Sequence, residues 1–221
     1  HHTKDTIDGS VRETGFLTIP ALDRESRILH AFTTRHGGLG ARGNGARHHD
    51  DWTAMAHAFG IRIERLATVN QVHGESIIKV DEMNIRDVRT VHADAMISRV
   101  PGIAIGVETA DCVPGLLYDP VMQAVAAVHA GWRSTVKKIV QKTVNRMHEE
   151  FGTESSRLIA AIGPAIGPEC YEVDEPVMGP VRDAFSFWRD VSAPRGTDRW
   201  GLDLAKANKF ELVQIGLSEK N

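Results

Sequence analysis

The 221-residue chain has no run of about eighteen apolar residues, the length a helix needs to cross a bilayer, so no membrane partner is expected. Its two cysteines, Cys112 and Cys170, are too few for a disulfide framework in a chain this long and point to a reducing, cytoplasmic setting. The N-terminus carries no apolar signal-peptide core, and His1-His2 reads as the remnant of an expression tag. A formal net charge of −3 gives no electrostatic reason to expect nucleic acid as a partner. Internal repeats and low-complexity linkers are also missing. What is present is 42% hydrophobic and 25% charged residues, an ordinary balance for a soluble enzyme-sized domain. The reading is a tail and lead-in over 1–26 and a single domain over 27–221.

Short β-like runs alternate with helical stretches. Arg27–Thr34 reads as a strand that delivers Arg35 into a loop, His36–Asp51, with five glycines. Ser76–Val80, Gly102–Val107, Ala124–Val128 and Arg157–Ile162 read as further strands; the second and third are almost wholly apolar, as when both faces are covered. A helix is predicted from Ser134, with Val136, Ile139, Val140, Val144, Met147 and Phe151 on one stripe. Ser134 would be its N-cap and Gly152 its C-cap. A last helix opens at Asp203 and ends near Gly216. The fold class is α/β, with mixed sheets and functional residues collecting at strand ends.

Three residues carry the chemistry. Cys112 and His129 lie seventeen positions apart, each at the edge of a β-like run and each close to Gly or Pro. Cys112 follows the Gly102–Val107 run, and His73 lies upstream in Asn70-Gln71-Val72-His73-Gly74. Taken singly, a buried Cys or a core His is the commoner explanation, but three ligand-type residues at strand–turn junctions point to one site. No two of them form a close pair of the kind a local structural finger needs. Two His and one Cys suit an open catalytic zinc site, completed by water. A nucleophilic Cys112 with His129 as base is the other reading.

Asp111 and Glu108 beside Cys112 are placed to orient an imidazole, or Asp111 to act as acid or base. Arg35 and Arg133 sit at strand exits, where a guanidinium can fork onto phosphate, and Asn70 and Gln71 can hydrogen-bond a planar heterocycle. The segment Gly163–Val173, with two Gly-Pro pairs, is a rigid candidate wall, and Cys170 within it is expected to be structural.

Five ordered motifs carry a resemblance. They are Phe32-Thr33-Thr34-Arg35-His36-Gly37-Gly38, Asn70-Gln71-Val72-His73-Gly74, Thr109-Ala110-Asp111-Cys112-Val113-Pro114, Val128-His129-Ala130-Gly131-Trp132-Arg133 and Ile162-Gly163-Pro164-Ala165-Ile166-Gly167. Over roughly residues 30 to 215 the chain resembles the YfiH-like family. Its members are described as multicopper polyphenol oxidase or laccase-domain proteins, as purine nucleoside phosphorylases with adenosine deaminase activity, and in one branch as a peptidoglycan editing factor. The resemblance implies a zinc site at His73, Cys112 and His129, and a layered α/β/β/α fold similar to the catalytic domain of cytotoxic necrotising factor, a Cys–His deamidase.

Two departures stand out. The family's Ser-Leu-Asn-Leu-Gly stretch after the Gly-Gly pair reads differently here, and its closing Phe-Phe-Ser-Tyr-Arg-Arg segment is not found before Asn221. The leading expectation is a zinc-dependent purine nucleoside phosphorylase with adenosine deaminase activity, taking nucleoside and phosphate. The alternatives are a hydrolase of peptidoglycan precursors using Cys112 or zinc water, and a copper-dependent polyphenol oxidase. The last ranks lowest, because His36, His48, His49 and His57 form no convincing second cluster. A monomer or weak homodimer is expected.

Overall fold

A computed structural model describes residues 16–34 and 48–218. The His1-His2 remnant, Arg35 and residues 36–47 of the glycine-rich segment lie outside the described residues. The chain divides into two compact units, His1–Leu66 and Ala67–Asn221, a seam within the stretch expected as one domain. In the first unit β1 (Phe16–Leu17) pairs antiparallel with β2 (Phe32–Thr33). Between them in sequence lies α1 (Pro20–Asp23), where Pro20 supplies the fixed φ that suits a first helical turn. The strand expected over Arg27–Thr34 therefore contracts to two residues. Helix α2 (His48–Ala58) begins inside the segment expected as loop to Asp51. The glycines stop at Gly45, so nothing in the sequence interrupts a helix before Gly60.

The second unit is built on a five-stranded sheet. After β3 (Leu66–Ala67) at the seam come β4 (Ile77–Lys79), β5 (Ala95–Ser98) and the short β6 (Ala104–Ile105). They are followed by β7 (Val113–Asp119), β8 (Ala124–Ala130) and β9 (Ile159–Ile162). The sheet order is β4-β5-β8-β7-β9; only β4 and β5 run parallel. The run expected as a buried strand over Gly102–Val107 is β6, two half-buried residues outside this sheet, with the Gly106 N–H donating to the Ala67 carbonyl at 3.0 Å.

Alternation along the strands sorts side chains into two layers. Ala95, Ile97, Val113, Leu117 and the even positions Ala124 to Ala130 join the larger core, packed with Ile139, Val140, Val144, Met147 and Phe151. Met96, between two of them on β5, joins Ala67, Val80, Ile85 and Val88 in a smaller core. His129 follows Val128 on β8, so it shares the parity of the second face. Small residues dominate β8, which lets the helix carrying Ile139 pack closely.

The helix expected from Ser134 is two helices. α3 (Trp132–Val136) starts after Gly131, and α4 (Ile139–Phe151) starts after Lys138, whose φ of 63° is left-handed. Ser134 is buried inside α3 and caps nothing. A left-handed residue other than Gly costs about 1–2 kcal/mol. Burying Ile139 and Val140 in the next turn gains about 1.5–3 kcal/mol each, so packing wins over local preference. Gly152 does end α4, with φ of 73° and its N–H donating to the His148 carbonyl at 2.8 Å.

Next come β10 (Glu172–Val173), α5 (Glu175–Ala184), β11 (Ser192–Gly196) and β12 (Arg199–Leu202). The three strands form an antiparallel sheet with β12 in the middle. The final helix, α6 (Leu204–Gln214), is capped by Asp203, whose Oδ1 accepts from the Lys206 N–H at 2.8 Å. The fold is mixed α/β, as expected. No helix among the described residues is long and apolar enough to cross a membrane.

Candidate functional site

The site is assembled at one end of β5, β7 and β8. His129 lies opposite Pro114 in the β7–β8 register and is 3% exposed. Its main-chain N–H donates to the Asp94 carbonyl at 2.7 Å, and its Nδ1 lies 2.8 Å from Asp94 Oδ1. Asp94, immediately before β5, is fully buried. Oδ1 also accepts from the His73 N–H at 2.9 Å, while Oδ2 accepts from Gly74 at 2.6 Å and Val72 at 3.3 Å. Burial pushes the Asp94 carboxyl up, but hydrogen bonds from His129, Gly74, His73 and Val72 outweigh it and hold the group below the usual carboxylate range. Burial lowers the His129 imidazole pKa despite Asp94. An ionised Asp94 beside a neutral His129 puts the imidazole proton on Nδ1 and leaves the Nε2 lone pair free for a metal.

The Val72–Gly74 turn around Asp94 gives His73 its position. His73 has φ of 57°, a left-handed conformation that turns three successive main-chain N–H groups onto one carboxylate. Its ring meets His129 edge to face, with centroids 4.8 Å apart. Cys112 sits just before β7, at the start of a strand rather than the end of one. Its Sγ lies 3.8 Å from His73 Nε2. Burial, then the charges of Asp111 and Asp94, push its thiol pKa up.

Ligand atoms of His73, Cys112 and His129 all lie within 4.8 Å of one another. Tetrahedral zinc with bonds of about 2.0–2.3 Å separates its ligands by roughly 3.3–3.8 Å, so small side-chain rotations close the set around an ion. Gly131 completes the fit: a Cβ there would come 2.9 Å from His73 Cδ2 and 3.0 Å from Cys112 Sγ. Only glycine lets the chain pass so close behind both ligands. The donor set therefore fits a three-coordinate zinc site with an open position.

The other expected residues fall around this centre in different ways. Asp111 and Glu108 are exposed, and the carboxylate that orients His129 is Asp94 instead. The Gln71 amide is engaged at both ends: its Nε2 donates to the Glu108 carbonyl at 2.7 Å, and its Oε1 accepts from the Glu108 N–H at 2.8 Å. Asn70 is exposed, with its main chain bridged to His92. Arg133 is exposed and lies over the Trp132 indole, 4.4 Å from the ring centroid. Arg35 is outside the described residues, and Cys170 is an exposed free thiol.

Three residues escaped sequence reasoning. Asp94 and Gly131 are two. The third is Tyr171, half-buried in the Gly-Pro segment, its phenol pKa pushed up by burial first and then by Cys112, against the opposing charge of Arg133. The Ile166 N–H donates to the Asp111 carbonyl at 2.9 Å, tying the Gly-Pro segment to the Cys112 loop. An Asp directly before the apolar run Ala95-Met96-Ile97 was the available signal for Asp94.

Known proteins agree with this architecture. The chain is 36% identical over 204 residues to a purine nucleoside phosphorylase of Deinococcus radiodurans, covering 87% of this chain and 77% of that protein. It is 33% identical over 174 residues to adenosine deaminase RL5 of an unknown prokaryotic organism, covering 76% and 66%. Among solved structures, YlmD from Geobacillus stearothermophilus superposes with a TM-score of 0.84 at 26% identity, covering 96% of this chain and 85% of that one. Residues 29–221 match the sequence profile of the family described as multi-copper polyphenol oxidoreductase laccase. The chain belongs to that family, the YfiH-like proteins.

Proposed function

We propose that this chain is a zinc-dependent purine nucleoside phosphorylase that also deaminates adenosine, with His73, Cys112 and His129 as the metal ligands. The convergence of these three side chains within 4.8 Å, with His129 Nε2 freed by Asp94, carries the reading. The names of relatives at 36% and 33% identity supply the reaction and substrate class. Zinc, when bound, supplies Lewis acidity and lowers the pKa of water to about 7.

The chain's own groups do the rest. Asp94 keeps the proton on His129 Nδ1, and Cys112 gives up its Sγ proton on binding the metal. Val72, apolar yet 46% exposed beside His73, offers a face for a planar base, and Asn70 can bond its edge. Arg133, and Arg35 from its motif, provide guanidinium groups for phosphate. In phosphorolysis a phosphate oxygen bonds to C1′ as the bond to the purine ring nitrogen breaks, and Asp111 relays a proton to the leaving base. In deamination water adds at C6 and ammonia leaves, with Asp111 moving the proton between them.

The test is to measure bound metal by elemental analysis, then assay adenosine and inosine with and without phosphate. Cys112→Ala and His129→Ala should lose the metal, phosphate-dependent base release and ammonia release together. Full turnover in both variants would sink the proposed site. Copper in place of zinc, with phenol oxidation and no nucleoside turnover, would overturn the reaction.

A further inference from the structure

Gln71 joins two parts of the site that come from distant stretches of chain. On one side is the turn carrying His73, two residues after Gln71. Its main chain is already anchored: Asn70 N–H donates to Val91 at 3.0 Å, Ala93 N–H donates back to Asn70 at 3.2 Å, and Asp94 takes the N–H groups of residues 72 to 74. On the other side is the loop from Glu108 to Cys112, outside any strand and exposed up to Asp111, with Cys112 half-buried. Both Gln71 hydrogen bonds fall on the Glu108 main chain, at 2.7 and 2.8 Å, as a strand neighbour's peptide would. A primary amide is the one side-chain group that offers a donor and an acceptor in that geometry.

We propose that Gln71 is a positioning residue, which clamps the Cys112 loop to the His73 turn and so presents those two ligands preassembled. The inference rests on the zinc reading for its consequence, and on the two hydrogen bonds for its geometry. Cys112 immediately precedes β7, and its loop must hold the thiol 3.8 Å from His73 Nε2 without help from a helix. Without the clamp the loop would still be tied at Asp111 by the Ile166 N–H but would be released from the His73 turn. The cost of bringing the two back together would be subtracted from metal affinity. Partners that hydrogen-bond a metal-binding side chain directly typically contribute about tenfold to a hundredfold in affinity. Gln71, which acts through the Glu108 main chain, stands one step further out, at the lower end of that range.

The experiment uses Gln71→Met, which keeps length and volume but removes both hydrogen bonds, and Gln71→Glu, which keeps the acceptor and sets a second oxygen against the Glu108 carbonyl. Both are made in a Cys170→Ser background so that Cys112 is the single thiol. Zinc affinity is read by competition with a chromophoric chelator, and the rate of Cys112 modification by a thiol reagent is read in metal-free protein. Zinc affinity should fall about tenfold and metal-free Cys112 should react severalfold faster, while the unfolding temperature of the metal-free protein stays within about 3 °C. At saturating zinc the KM for adenosine should stay unchanged. Unchanged zinc affinity and thiol reactivity with a raised KM would make Gln71 a substrate contact and overturn the clamp. If the Gln71 protein itself retains no zinc, the metal reading fails, while the thiol-reactivity comparison still decides the clamp.

Discussion

Asp94 and Glu211 are both buried carboxylates in the same unit, 0% and 2% exposed, yet their surroundings drive them in opposite directions. Asp94 receives four hydrogen bonds, three of them from main-chain N–H groups, and is held below the usual carboxylate range. Glu211, on the inner face of α6, has a buried Oε2 with no hydrogen-bond partner among the described residues. Burial pushes its pKa up to about 7, against the opposing charges of Lys138 and Lys142. Depth alone therefore does not set the charge of a buried carboxylate. The supply of aimed donors does, and the chain spends those donors at the site.

The largest effect is expected where that supply is cut. Asp94→Ala leaves three main-chain N–H groups and the His129 Nδ1–H without their acceptor, at a cost of about 3–5 kcal/mol in denaturant unfolding. Metal affinity should fall at least a hundredfold, because both His73 and His129 lose their anchor. Asp94→Asn should lie between, since Oδ1 is kept for His73 and His129 while an NH2 group faces the N–H donors of Gly74 and Val72. Wild-type metal affinity in both variants would break the contrast between the two carboxylates.

Gly131→Ala is expected to act on the ligands rather than the fold. Gly131 has φ of −71° and ψ of 171°, extended values that alanine adopts freely. The new methyl meets only His73 Cδ2 and Cys112 Sγ at distances too short to tolerate. Stability should drop by about 1–3 kcal/mol as those side chains are displaced, and chelator competition should show metal affinity reduced more than tenfold. A variant that binds zinc as tightly as the parent would mean that the two ligands do not converge against Gly131.

His73, Cys112 and His129 could be picked out in the sequence as candidate metal-binding residues because each is a ligand-type residue set among small residues. The structure brings their side chains within 4.8 Å of one another, His73 from a turn, Cys112 from the start of β7 and His129 from within β8. Asp94 was not legible in this way, since β5 is four residues long and an Asp before so short a run resembles a solvated turn. The α3–α4 break was hidden too: Lys138 takes a left-handed conformation without the Gly or Asn that would announce it, because Ile139 and Val140 gain more by packing than the turn loses. Sheet order was beyond local reading, since β5 pairs with β8 across some thirty residues. The mixed α/β class followed from the alternation of short apolar runs with helical stretches, and the final helix does open after Asp203, where the sequence reading placed its start.

Glu211 provides the pH signature of the comparison. In the unfolded chain it titrates near 4.5, and in the folded protein at about 7. Between those values the folded protein holds a proton that the unfolded chain has released, so stability falls as pH rises. The contribution is complete below about pH 4.5 and gone above about pH 7, and it amounts to at most about 3 kcal/mol. Glu211→Gln should abolish this slope in thermal unfolding and raise stability at pH 8 by about 1–3 kcal/mol. Because His129, with its lowered pKa, contributes the opposite slope in this window, the decisive comparison is parent against Glu211→Gln. Identical profiles between about pH 4.5 and 7 would show that Glu211 has found a donor.

The smallest effect comes from the group that touches both environments. Lys142 pairs with exposed Glu75, one residue beyond Gly74, and its charge also lowers the pKa of buried Glu211. Both members of the surface pair are more than 40% exposed, so solvent screens it and the expected contribution is under about 1 kcal/mol. Lys142→Gln should therefore move the unfolding temperature at pH 5 by no more than about 3 °C, when Glu211 is protonated and indifferent to the lost charge. At pH 8 the same variant should lose more, because an ionised Glu211 then keeps only Lys138 as its opposing charge. The gap between the two pH values, measured by thermal unfolding, separates what Lys142 does at the surface from what it does for the buried carboxylate. Equal losses at both pH values would place its whole effect on Glu75.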